Sequence, residues 1–181
     1  LEYKPVGFGE DPESGEQNQG LTGTFFIPAY QRGYRWTKDD VRKLLNDISE
    51  SKAPHYSLQP IVVKKRGNGD WELIDGQQRL TTLWILLRFM QKGADRYSLQ
   101  YETRPGSQEY LRQLDAGQAA KNIDYFFMHQ AHATITDWFT NKMGPQYTQF
   151  LIDEMFRFLS TSVKVIWYQA PADTPSIPLF T

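Results

Sequence analysis

The chain has 181 residues and a net charge of −1; 40% of its residues are hydrophobic, including five Trp, ten Tyr and eleven Phe. This composition is typical of a folded globular protein, and the length suits one domain or one domain with part of another. The lack of cysteine excludes disulfides, thiolate metal sites and cysteine nucleophiles, and it favours a cytoplasmic location. No apolar run approaches the roughly 18 residues that span a membrane, so we expect no membrane partner.

The charge is unevenly distributed along the chain. Residues 1–20 hold five acids and one lysine, a balance of −4, which leaves +3 for the remainder because the total is −1. The stretch 1–23 is rich in Gly, Glu, Gln and Asn and is predicted to be a flexible lead-in. The chain does not begin with Met, so we expect a trimmed or incomplete start.

The first predicted elements are a strand, a helix and a hairpin. Phe25–Ile27 form a short strand that ends at a proline, and Thr37 is the expected N-cap of a helix whose apolar residues recur every three or four positions. Residues 60–64 and 71–75 flank an Asn-Gly turn, which predicts a β-hairpin.

The rest of the chain alternates helical and extended patterns. A helix over 77–91 should follow the hairpin directly, and a strand over 99–102 should come next. The remaining predicted elements are three helices and a closing strand: 107–114, 123–139, 147–159 and 163–168.

A polar cluster lies where the second hairpin strand meets the helix that follows it. The cluster is Asp75, Gly76, Gln77, Gln78, Arg79, Leu80, Thr81 and Thr82. Free backbone N–H groups and the positive end of the helix dipole favour anions there, phosphate above all. The alternative is that Asp75 caps the helix and Arg79 makes a surface salt bridge. We favour a ligand site, because a cap needs one polar residue rather than a run of them.

Each residue of this cluster has an expected role. Arg79 and the N–H groups of 77–81 would hold phosphates, Gly76 would allow a close backbone approach, and the hydroxyls of Thr81 and Thr82 would add polar contacts. Gln77 or Gln78 would orient a water molecule or a nucleobase. Asp75 would hold Mg²⁺ or act as a base.

A second polar and aromatic segment covers residues 27–36. Arg32 and Arg35 can each present a planar fork to phosphate oxygens, and Gln31 lies beside them. The rings of this segment, which could stack on a base, are Tyr30, Tyr34 and Trp36. The alternative is that the rings pack into the core and the arginines pair with carboxylates.

Other candidates carry weaker signals. Arg104 follows a predicted strand and could add a third basic group to the pocket. His129 and His132 have helical spacing, but no third ligand is evident, so solvent-facing histidines are expected rather than a metal site.

These motifs resemble the N-terminal domain of GmrSD-type modification-dependent restriction enzymes, which are related to phage-defence proteins that often carry an HNH nuclease. The resemblance rests on four segments: Ile-Pro-x-Tyr-Gln-Arg-x-Tyr-x-Trp at 27–36, Asp-Gly-Gln-Gln-Arg-Leu-Thr-Thr-Leu at 75–83, Tyr-Glu-Thr-Arg-Pro-x-Ser at 101–107 and Val-Lys-Val-Ile-Trp-Tyr at 163–168. It implies an α+β fold with a ParB/sulfiredoxin-like core, a small mixed sheet and additional C-terminal helices.

The resemblance also implies domain limits and a ligand. Residues 24–104 would be the nucleotide-binding core, and 105–181 a helical extension with a closing strand. In this family the motif at 75–79 is associated with binding and hydrolysis of a nucleoside triphosphate (NTP) together with Mg²⁺. The same binding role carries over less directly to Gln31, Arg32 and Arg35. Hydrolysis would gate DNA translocation or cleavage by a separate HNH-type nuclease domain or subunit. Family members continue past residue 181, so we expect the chain to be a fragment.

Two other functions stay open at this point. One is a DNA-recognition module without enzymatic activity, in which the arginines contact DNA phosphates and the aromatic rings stack on exposed bases. The other is direct phosphodiester cleavage by this domain, as in some ParB-like proteins.

Overall fold

The computed structural model describes residues 2–10, 15, 17–51, 56–92, 96–104 and 106–175. Its strands are β1 Glu2–Pro5, β2 Gly9–Glu10, β3 Gln17–Asn18, β4 Gly23–Ile27, β5 Tyr56–Lys65, β6 Trp71–Asp75, β7 Tyr97–Tyr101 and β8 Val163–Ala170. Its helices are α1 Lys38–Glu50, α2 Gln77–Met90, α3 Gly106–Gln113, α4 Ala116–Ala119, α5 Ile123–Lys142 and α6 Thr148–Thr161, with a 3₁₀ turn at Pro145–Tyr147.

Six strands form one mixed sheet in the order β1-β8-β5-β6-β4-β7. The pairs β8/β5, β6/β4 and β4/β7 are parallel, whereas β1/β8 and β5/β6 are antiparallel. The predicted α+β fold with a mixed sheet and additional C-terminal helices is confirmed. The likeness to ParB and sulfiredoxin stays a prediction.

The β5–β6 hairpin has the predicted turn. The backbone N–H of Arg66 donates to the carbonyl of Asp70 at 2.8 Å, and that of Gly69 donates to Arg66 at 3.0 Å. β5 begins four residues earlier than the predicted start at Pro60. Proline cannot donate a ladder hydrogen bond, and here the strand continues past it because the register with β8 shifts between Leu58 and Ile61.

The first helix begins at the predicted cap. Thr37 and Asp40 form a capping box, in which each side chain accepts a hydrogen bond from the other residue's backbone N–H. The buried face of α1 is the predicted stripe of Val41, Leu44, Leu45 and Ile48. This match shows that local signals alone define the helix.

Helix α2 is buried around most of its circumference. Leu80, Leu83, Ile85 and Leu86 are all fully buried, although they do not share one face. The helix contacts α5 on one side, and on the other it meets β7, where the hydroxyl of Tyr97 donates to the carbonyl of Leu80 at 2.7 Å. A helix in this position needs no polar face.

The predicted lead-in contributes to the fold. Residues 2–5 form β1, which pairs with β8, and the side chains of Val6 and Leu21 are buried in the core. Polar composition suggested flexibility, but pairing with an existing strand satisfies the backbone of β1 without an apolar run. The sequence at the C-terminal limit, 176–181, lies outside the described residues.

The predicted ranges 24–104 and 105–181 share one hydrophobic core. Phe25 and Leu73 from the first range pack in the same cluster as Ile135 and Trp167 from the second. The closing strand β8 lies inside the sheet, between β1 and β5. The tertiary structure therefore joins the two ranges through both the sheet and the core.

Candidate functional site

The two sequence motifs meet at one edge of the sheet. Strands β4, β6 and β7 run parallel, so their carboxyl ends lie at the same edge. The segment 28–37 leaves the end of β4, and α2 begins two residues after the end of β6. In open sheets of this kind, ligands bind beyond the carboxyl ends of parallel strands.

The turn from β6 into α2 depends on a glycine. Gly76 is the N-cap residue of α2 with φ of 106°, and no side chain caps the helix. A Cβ atom at this position would lie 2.5 Å from Ile61 Cδ1. The alternative in which Asp75 caps the helix is therefore wrong, and the N–H groups of 77–79 have no helical acceptor. No described residue outside the helix accepts a hydrogen bond from these N–H groups, an arrangement that favours an anion.

The two carboxamides of the motif bind the backbone of the segment 31–36, which we call the arginine loop. Gln77 Nε2 donates to the carbonyl of Arg32 at 2.5 Å. Gln78 Oε1 accepts from the N–H of Arg35 at 2.7 Å, and its Nε2 donates to the carbonyl of Gly33 at 3.2 Å. These bonds place the arginine loop directly over the start of α2.

The two hydroxyls of the motif point into the core. Thr81 Oγ1 lies 2.8 Å from the hydroxyl of Tyr101, and Thr82 Oγ1 lies 2.7 Å from that of Tyr34. Thr81 and Tyr34 are 0% exposed. Burial raises the pKa of both tyrosines, so the pairs are neutral hydrogen bonds. Thr81 and Thr82, predicted to bind the cofactor, do not line the cleft described next.

A cleft of about 460 Å³ opens between the arginine loop, the start of α2 and the first half of β5. Its volume lies within the range of ligand sites. It brings together seven of the predicted residues: Gln31, Arg32, Asp75, Gly76, Gln77, Gln78 and Arg79. The other lining residues are Trp36, Gln59, Pro60 and Ile74.

Arg79 has the most informative environment in the cleft. Its guanidinium is half-buried and makes no hydrogen bond or ion pair with any residue in the described ranges. Burial lowers the pKa of Arg79, and the charges of Asp75 and Tyr56 partly offset that effect. The predicted alternative of a surface salt bridge is not found among the described residues. Arg79 is therefore a half-buried cation in the cleft whose nearest offsetting charge is that of Asp75.

The remaining polar groups of the cleft differ in how they are used. Gln31 Nε2 donates to the carbonyl of Leu73 at 2.7 Å and so ties the arginine loop to β6. The side chains of Arg32 and Asp75 are exposed and make no hydrogen bond within the described part of the chain. Arg32 and Asp75 are therefore available to a ligand.

Arg35 and Arg104 are not among the residues that line the cleft. Arg35, predicted to bind phosphate, and Arg104, predicted as a third basic group of the pocket, both contact Asp124 instead of lining the cleft. Arg35 Nη1 contacts Asp124 Oδ1, and Arg104 Nε donates to Asp124 Oδ2 at 2.7 Å. Sequence reasoning missed Asp124, which lies in the first turn of α5. The only local signal is its place two residues after the N-cap Asn122.

The histidines form no metal site within the described ranges, where no cluster of three metal-ligating side chains occurs. His132 was predicted to face solvent, and the structure places it differently. It is half-buried, and its ring lies 6.2 Å from that of Phe89. Burial is the largest cause that lowers the pKa of His132, and the charges of His129 and Arg88 lower it further.

The described helices include none with the length and apolar character that crossing a membrane requires. A search of curated proteins found no match to the chain. A comparison with protein families matched residues 14–179 to the family described as GmrSD restriction endonuclease, N-terminal domain. The match includes both motifs that line the cleft and every helix of the fold. The chain therefore belongs to the GmrSD restriction endonuclease family, as its N-terminal domain.

Proposed function

We propose that this domain binds an NTP with Mg²⁺ in the cleft and hydrolyses it as the regulatory part of a DNA restriction system. Hydrolysis would gate DNA translocation or cleavage by a separate HNH-type nuclease domain or subunit. The observation that carries the proposal is Arg79, whose half-buried guanidinium has no acceptor among the described residues and lies beside the free N–H groups of α2.

The phosphate end of the site is the start of α2. The N–H groups of residues 77–79, the helix dipole and the guanidinium of Arg79 all favour negative charge at one place. Arg32, from the arginine loop, also lines the cleft, and it is exposed. A polyphosphate suits this arrangement better than a single carboxylate, because two guanidiniums and a helix terminus can each bind different oxygens.

The aromatic wall of the cleft suits the base. Trp36 is half-buried, with one part packed against the core and another part lining the cleft. An indole in this position can stack on a planar ring at little entropic cost. Gln59 lines the same cleft and carries both a donor and an acceptor for the edge of a base.

Mg²⁺ suits the single acid of the lining. In proteins this ion is usually held by one or two carboxylates together with substrate phosphates, and the Asp75 side chain is exposed within the cleft. When bound, the ion would neutralise the charge of the phosphate oxygens. Asp75 would act either as its ligand or as the base that takes a proton from the attacking water.

The roles of the two carboxamides change in the light of their contacts. Gln77 and Gln78 donate to and accept from the backbone of the arginine loop. In the proposed reaction they hold Arg32 and the loop over the phosphates. The water-orienting role predicted for them would need Gln77 Oε1, which already accepts from Gln78 Nε2 at 3.3 Å.

Titration calorimetry with each of the four common NTPs, with and without Mg²⁺, tests the proposal on the full chain. We expect saturable binding of at least one NTP and release of phosphate on incubation. The double variant Arg32→Ala, Arg79→Met should abolish both. No binding of any NTP would reject the proposed function.

Family membership also supports a second candidate function, DNA recognition. The structure leaves little of the predicted arginine and aromatic surface for it, because Tyr34 is fully buried and Arg35 contacts Asp124. Binding measured at several salt concentrations separates the two functions. DNA binding through phosphates should weaken steeply with added salt and should not respond to free NTP.

A further inference from the structure

Asp124 joins two arginines that come from distant parts of the chain. The side chain of Asp124 is 6% exposed, and its two oxygens face Arg35, from the loop after β4, and Arg104, from the segment after β7. Its own backbone N–H donates to Asn122 Oδ1 at 2.8 Å, within the N-cap of α5. One buried acid thus connects the arginine loop, the end of β7 and the start of α5.

The arginine loop lies directly against this carboxylate. A Cβ atom at Gly33 would overlap Asp124 Oδ1 and would lie 2.8 Å from Arg104 Nε. The carboxylate is bound on both sides and cannot move aside without losing a partner. The loop therefore needs glycine at this position so that its backbone can rest on the ion cluster.

The opposite side of the arginine loop is held by α2. Gln78 binds the N–H of Arg35 and the carbonyl of Gly33, and Gln77 binds the carbonyl of Arg32. The Arg35 Nη1 group that meets Asp124 also donates to the carbonyl of Tyr34 at 2.7 Å. Arg35 is consequently fixed at its backbone by α2 and at its side chain by Asp124.

We propose that Asp124 is a positioning residue for the nucleotide cleft. It holds Arg35, and through Arg35 it holds the backbone of 32–36, so that Arg32 and Trp36 line the cleft before the ligand arrives. A loop ordered in advance loses less entropy on binding, and small displacements of binding groups reduce affinity strongly. The role in ligand binding rests on the proposed function, whereas the anchoring of the loop does not.

The variant Asp124→Asn in the full chain tests this role. Asparagine keeps the size of the side chain but removes the charge that pairs with both arginines. We expect faster hydrogen–deuterium exchange in the peptide that covers 28–37, and NTP affinity about tenfold weaker. The matched control is Asp137→Asn, because Asp137 is an exposed acid of the same helix without an ion pair in the described ranges. It should behave as wild type.

A second, milder variant covers the case in which Asp124→Asn does not fold. Arg35→Lys keeps the charge, but its shorter side chain lacks the Nη1 group that binds the Tyr34 carbonyl and Asp124 together. It should speed hydrogen–deuterium exchange in the same peptide and lower the affinity for the same NTP. The double variant should be no weaker than Asp124→Asn alone, because Arg35→Lys breaks a connection that Asp124→Asn has already lost.

The outcomes distinguish the two proposals. Wild-type exchange in the 28–37 peptide of both variants, or faster exchange with unchanged NTP affinity, would overturn the positioning role. Faster exchange in a protein whose wild type binds no NTP would support anchoring of the loop and reject the nucleotide function.

Discussion

Arg79→Met should weaken ligand binding without lowering the free energy of unfolding. The guanidinium is half-buried, and burial lowers its pKa, which means that the folded protein holds this charge at a cost. Within the described ranges Arg79 has no hydrogen bond or ion pair, and the charge of Asp75 offsets only part of that cost. Methionine keeps a long unbranched chain, so the apolar packing of the arginine stem is retained while the charge is removed.

The size of the effect on binding follows from the lost contact. A hydrogen bond to a charged group contributes about 1.5–3 kcal/mol, and about 1.4 kcal/mol corresponds to tenfold in affinity. NTP binding should therefore weaken about ten- to a hundredfold. The free energy of unfolding without ligand should stay within about 0.5 kcal/mol of wild type or increase.

The assay combines two measurements on the same protein preparation. Titration calorimetry with Mg²⁺ and an NTP gives the dissociation constant, and urea unfolding followed by circular dichroism gives the free energy of unfolding. Arg157→Met is the matched control, since Arg157 is exposed on α6, pairs with Glu154 and does not line the cleft. The control should leave the dissociation constant unchanged.

One result would refute this reasoning. If Arg79→Met binds the NTP as tightly as wild type and is also clearly less stable, the guanidinium serves the fold. The guanidinium would then stabilise the folded chain rather than bind a ligand.

Three further predictions concern the turn, the metal and pH. Gly76→Ala should lower the free energy of unfolding by about 1–2 kcal/mol in urea titration, because a side chain at φ of 106° is strained. Asp75→Asn should remove the Mg²⁺-dependent part of NTP affinity, as measured by calorimetry with and without EDTA. For His132, burial and the charges of His129 and Arg88 lower the pKa, so as the pH falls the unfolded chain takes up its proton first. The free energy of unfolding should therefore decrease as the pH falls through the usual histidine range of about 6.5 and level off below the folded-state pKa; His132→Gln should flatten that slope in urea titrations.

Local signals were sufficient for the elements that flank the cleft. The capping box at Thr37, the Asn-Gly turn of the hairpin and the strand-to-helix junction at Gly76 each depend on neighbours in sequence. Their hydrogen bonds and dihedral angles are set by residues only a few positions apart. The motif at 75–79 could therefore be placed at a helix N-terminus, next to free N–H groups, before any tertiary contact was known.

Strand limits followed the sequence less closely. β5 extends beyond Pro60 because pairing with β8 and a register shift accommodate the proline. β1 lies in a polar segment and forms because its backbone pairs with β8. Both outcomes depend on partners more than 90 residues away.

The division of labour among the polar residues was decided only by the tertiary structure. Arg32 and Arg35 are equivalent in sequence, yet one lines the cleft and the other meets Asp124, which lies 89 positions further along the chain. The hydroxyls of the motif point into the core, and its carboxamides bind the arginine loop. The sequence by itself determined that a polar motif lies at a helix N-terminus where β6 becomes α2, because that geometry is local. Which side chains line the cleft was settled by packing, because each buried donor or charge had to find its partner in a distant segment.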